Sequence, residues 1–218
     1  MRSRADALRS AVRLSFLTIG WNLIAGTVAV ASALVYGSIS LAAFGLSMLI
    51  DTGASVALVW RFRMEERDPK GADRVEARAE IAIGIAMTAA AVYLALQSAH
   101  ALWRGSHPET APPGIVVSVA SLLFLPWLAR AKWRVAQDLG SKALRGDSLL
   151  TAASATLAAT TLLALVANAA FGWWWADPVA ALLIAAALVF EATRAAAYRR
   201  RLSSGAAPSA ESSVGGSG

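Results

Sequence analysis

The chain has 218 residues, 57% of them apolar and 16% charged, with a formal charge of +6. Soluble domains carry about a quarter charged residues; here the charges fall in blocks separated by apolar intervals of bilayer-spanning length, roughly 20 residues each. The basic excess flanks those intervals, which argues against a nucleic-acid partner and for a lipid bilayer, and the lack of cysteine excludes disulfides and thiolate metal ligands.

Six spans are predicted, in chain order Leu14 to Tyr36, Ser38 to Trp60, Ile81 to Trp103, Gly114 to Ala129, Ser148 to Phe171 and Pro178 to Ala192. Helices are expected because lipid offers no partner to an open backbone. The first span is too long for the apolar region of a cleavable signal, so it is expected to stay in the membrane. Gly37 and Ser38 mark a tight turn, Arg61 to Arg78 a charged loop, and Arg104 to Pro113, with three prolines, an irregular one. Arg130 to Arg145 is basic, Gly172 to Asp177 is a short aromatic turn, and the Ser/Gly/Ala tail from Ser203 is expected to be disordered.

Nineteen of the twenty Lys and Arg residues fall on one side of this arrangement, with Arg104 alone on the other. The positive-inside rule assigns that side to the cytoplasm. The expected architecture is all-α: a polytopic six-helix transmembrane bundle with both termini in the cytoplasm. Residues 1–13 form an N-terminal cytoplasmic segment, 14–194 the membrane domain, and 195–218 a basic, then disordered tail. Trp103 and Trp173 to Trp175 suit the outer interface, Trp60 and Trp133 the inner one.

An ionisable residue deep in a span costs roughly 2.5 to 3.5 kcal/mol on insertion scales. Asp51 lies near the middle of the second span, with Ser47 and Ser55 on the same helix face at i−4 and i+4. Gly45 and Gly53 would let another helix approach. Asp51 reads either as an ion or proton site or as a protonated acid bonded to a neighbouring helix. In the fifth span Asp147, Thr151, Ser154 and Thr161 form a polar stripe. Its hydroxyls suit either a cation or packing, and Asp147 either a ligand or a helix-start acid. An oxygen set from the second and fifth spans suits a hard or borderline divalent cation.

Asn22 and Gln97 are expected to bond neighbouring helices. His100 and His107 read as a metal-capture pair or as wetted interface residues. Asp177 reads as the N-cap of the sixth helix, and Glu191 as a partner of Arg194. No hydrolytic, redox or phosphate-loop motif is present, so neither an enzyme nor an ATP-driven pump is expected.

Three stretches in order, Gly37-Ser38-Ile39-Ser40-Leu41 through Asp51-Thr52-Gly53-Ala54-Ser55, Leu144-Arg145-Gly146-Asp147-Ser148, and Trp174-Trp175-Ala176-Asp177-Pro178, resemble the transmembrane domain of the cation diffusion facilitator family. The resemblance implies a divalent cation exporter, commonly for zinc, driven by exchange with protons, with no tightly bound cofactor. It also implies a homodimer, in the bacterial inner or plasma membrane. The family's tetrahedral site takes two residues four apart on the second helix and a His and an Asp four apart on the fifth. Asp51 matches one position; Ser47, Leu150 and Ser154 occupy the other three, and Asp147 matches an acid preceding the fifth-helix pair. The implied metal set is thus Asp51, Asp147, Ser47, Thr151 and Ser154. The shortness of the chain after Arg201 points to a branch without the family's cytoplasmic metal-binding and dimerisation domain. A non-transporting partner or scaffold on the same fold is the alternative.

Overall fold

The structure, a computed structural model, describes residues 4–65, 69–105 and 108–203. Among them are six helices: α1 (Arg4–Tyr36), α2 (Ile39–Glu65), α3 (Pro69–Arg104), α4 (Pro112–Leu139), α5 (Lys142–Phe171) and α6 (Ala176–Ser203). Each contains a stretch long and apolar enough to cross a membrane. Their outward surface carries large apolar side chains such as Ile24, Leu34, Leu123, Leu163 and Leu183, while Ser, Thr, Asn and Asp side chains are among those turned inward. That distribution fits a lipid solvent, in which polar groups need protein partners.

The helices run well past the predicted spans. α4 continues ten residues beyond Ala129, and α5 begins six residues before Ser148. The basic segment from Arg130 to Arg145 is therefore two helix ends around one turn. Gly140 adopts φ 62°, and the Ser141 hydroxyl accepts from Leu144 N at 3.3 Å to cap α5. Most of the predicted charged loop at Arg61 to Arg78 is likewise helical, and α1 takes in the N-terminal segment from Arg4. Lys, Arg and Glu are good helix formers, so a charge block marks where lipid ends and not where the helix does. The tail beyond Ser203, and the side chain of Arg194 expected to pair with Glu191, lie outside the described residues.

α1, α2, α4 and α5 form a four-helix bundle, and α3 and α6 pair beside it against α2. The bundle core joins Ala25 and Ala29 of α1, Phe44 and Met48 of α2, Leu125 of α4 and Ala158 of α5. The lateral pair is held by Met87, Ala91 and Leu94 of α3 against Ile184 and Leu188 of α6, with Ala43 of α2. α1 and α2 touch through backbone. A Cβ on Gly45 would stand 2.9 Å from Gly26 O and from Val30 N. Gly45 thus permits the close approach its sequence suggests, whereas Gly53 faces open space.

Asp177 sits at the opposite end of α2 from the charged loop. Its Oδ1 accepts from Ser38 and Ser40 Oγ, both at 2.6 Å, and its Oδ2 from Ile39 N at 2.6 Å and Ser40 N at 3.3 Å. The expected cap of α6 is therefore a cap of α2, supplied from another helix, which satisfies amide donors that have no intrahelical partner. Trp173 and Trp175 stack beside it at 5.5 Å and are half exposed, as is expected of an interfacial belt.

Candidate functional site

Halfway along the bundle, α2 and α5 face each other with polar side chains. Ser154 Oγ donates to Asp51 Oδ2 at 2.5 Å and also reaches Leu150 O at 3.1 Å. Farther along the pair, Ser55 Oγ donates to Asp147 Oδ1 at 3.2 Å. Because the helices are antiparallel, a step along α2 from Asp51 to Ser55 is matched by a step back along α5 from Ser154 to Asp147. The result is one acid and one hydroxyl from each helix, crossed. All four residues are buried.

These side chains border a small cavity of about 10 Å³, room for one water-sized sphere. Thr151 also lines it, as do Thr18 and Asn22 from α1 and the apolar side chains of Leu125 and Leu150. Asn22 is buried, and its Oδ1 has no hydrogen-bond partner among the described residues. A buried amide oxygen without a partner costs about 1–3 kcal/mol, and this one stands at the same cavity as two carboxylates. Expected to bond a neighbouring helix, it instead faces the cavity.

The second carboxylate is not alone. Lys132 of α4 is fully buried, with Nζ 2.6 Å from Asp147 Oδ2 and donating to Thr151 Oγ1 at 3.0 Å. The approach to Oδ2 is off the hydrogen-bond angle, so the contact is an ion pair. Thr151 in turn donates to Asp147 O at 2.9 Å. Asp147 is thus neither a cap nor a free acid, because Ser141 caps the helix. Lys132 was read as part of a cytoplasmic basic block, but its position was legible. Leu125, Leu128, Ala129, Lys132, Val135 and Ala136 form one buried stripe at helical spacing. Extending α4 past Ala129 places the lysine on it.

Of the five expected metal residues, the structure brings Asp51, Asp147, Thr151 and Ser154 together. It does not bring Ser47 to the cavity; that hydroxyl donates to Phe44 O at 2.8 Å within α2. Leu150, which stands where the resemblance implies a histidine, does line the cavity but offers no donor atom. Among the described residues no three His, Cys, Asp or Glu side chains cluster as a ligand set. Gln97 donates to Tyr93 Oη at 3.3 Å on its own helix, at the surface, and His100 is exposed. His107 lies outside the described residues. Every donor at the cavity is an oxygen, so the arrangement can hold a hard cation through two carboxylates, hydroxyls and an amide carbonyl.

Comparison with known protein families matches the cation efflux transmembrane domain over residues 15–201. The chain belongs to the cation efflux family. Family membership makes it a membrane protein of a metal cation transporter family, with the bilayer and a cation as its natural partners. No curated protein matches the chain closely.

Proposed function

We propose that this cation efflux protein is a secondary transporter of divalent cations, exporting them in exchange for protons, with both termini in the cytoplasm of a bacterial-type plasma membrane. The observation that carries the reading is the small cavity to which two acids turn. Asp51 and Asp147 come to it from two different helices, with the unpartnered Asn22 Oδ1 beside them. Two buried acids that face one cavity from two helices are a costly arrangement for packing alone. Asp51 is the central ligand and the group that exchanges a proton for the ion; Asp147, Thr151 and Ser154 complete the site from α5. The oxygen-only donor set favours a hard ion such as Mn²⁺ over zinc, whose sites favour nitrogen, sulfur or several carboxylate donors. Access alternates by rocking of helices around the cavity. The skew of basic residues supports the orientation.

The test is uptake into proteoliposomes of Zn²⁺, Mn²⁺, Co²⁺ and Mg²⁺ with and without a pH gradient. Cation flux that a pH gradient drives, and that Asp51→Ala abolishes, supports the proposal. Flux unchanged in Asp51→Ala overturns the site. A second reading, a non-transporting membrane partner, is favoured by one observation, the internal ammonium already paired with Asp147. It predicts no flux for any ion in the panel.

A further inference from the structure

We infer that Lys132 is a tethered competitor of the transported cation: its ammonium holds Asp147 when the site is empty and is displaced when the ion binds. The inference rests on Asp51 and Asp147 being ligands, and adds what sets their affinity. A buried ammonium is costly unless it is paired, and Lys132 is fully buried. It reaches from α4 to Asp147 Oδ2 and Thr151 Oγ1 at 2.6 and 3.0 Å, beside the cavity lined by α1, α2 and α5. Asp147 Oδ1 is meanwhile held by Ser55. An incoming ion that uses both carboxylates therefore needs the oxygen that Nζ faces.

The lysine is suited to yield it. Its stem has four flexible carbons and its head is a compact point charge, so Nζ can withdraw with no helix movement. Withdrawal toward the end of α4 that carries Arg130 and Arg134 follows the habit of long basic side chains to reach for the interface. When both acids are ionised, the ammonium offsets one of their two negative charges at the cavity. The ammonium thus offsets part of the charge that would attract a cation, and weakens its binding.

The experiment measures Mn²⁺ binding to the purified full-length protein in detergent, from the free-ion spin resonance signal, alongside Mn²⁺ uptake in proteoliposomes. Lys132→Gln keeps a donor for Thr151 and removes the charge. Mn²⁺ should bind roughly tenfold more tightly, a coupling of about 1.4 kcal/mol, with an equal fall in the apparent KM for uptake. Unchanged or weakened binding in a folded Lys132→Gln protein overturns the inference. Asp147→Asn compared with Asp147→Asn/Lys132→Gln gives a test that does not leave a lone buried carboxylate. The double variant should bind Mn²⁺ more tightly than the single one, and equal affinities overturn the inference. Tighter binding without uptake in any protein would keep the competitor and remove the transport reading; uptake in wild type with no gain on losing the charge would do the reverse.

Discussion

Two places in this molecule bury carboxylates against α2, and their surroundings differ. At one end, Asp177 accepts four hydrogen bonds from Ser38, Ile39 and Ser40, so each of its oxygens is occupied. Halfway down, Asp51 and Asp147 border a cavity, an amide oxygen has no partner among the described residues, and a buried ammonium is paired with one of the two acids. A saturated acid fixes geometry. An acid whose surroundings are incomplete leaves a position for something else. Burial and charge alone do not separate the two; the donor count does.

The two places should respond differently to substitution. The largest effect is expected from Asp177→Ala, which leaves backbone and hydroxyl donors of two helices unpaired. It should lower stability by about 4 kcal/mol, read as thermal unfolding in detergent. Asp51→Ala should do the converse, reducing cation flux at least about a hundredfold while the unfolding temperature stays within a few degrees of wild type. A collapse of folding in Asp51→Ala would make its acid structural, like Asp177.

Gly45→Val probes the frame between these places. Its side chain meets backbone of α1, and overpacking of this kind costs about 1–3 kcal/mol. Reduced flux together with reduced stability is expected, where Asp51→Ala separates them. Asn22→Leu sharpens the comparison further. Removing the unpartnered oxygen should weaken cation affinity by roughly tenfold, comparable to losing one buried hydrogen-bonding acceptor, with stability unchanged or raised. A variant that loses stability instead shows that Asn22 serves packing. The smallest effect belongs to Gln97→Leu, which alters only a surface pair on α3 and should change neither flux nor folding.

The bundle was legible because lipid imposes a coarse, strong pattern: apolar stretches of one length and basic residues between them. The helix ends were not, since the same basic residues continue a helix once it leaves the bilayer. That error hid Lys132, because ending the fourth span at Ala129 removed it from the buried stripe it shares with Leu125 and Leu128. Asp51 announced itself by cost alone. The role of Asp177 stayed hidden because a cap seen from the chain looks to its own helix, while the fold brings it to Ser38, 139 residues away in sequence. Ser47 shares a face with Asp51 but stands one turn up α2, and its hydroxyl turns back to its own backbone. Helical spacing gives direction around an axis; which level of the bundle is hollow depends on how the neighbours meet there.

The glycine contact between α1 and α2 has a mechanical meaning. With Gly26 and Gly45 at touching distance, these two helices share a fulcrum. Asp51 lies six residues beyond Gly45, about 9 Å along the axis, and Asn22 lies one turn from Gly26 on the facing helix. A change of crossing angle at the glycines would open or shut the gap between Asn22 and Asp51 like the jaws of a clamp, while the pivot itself stays closed to water.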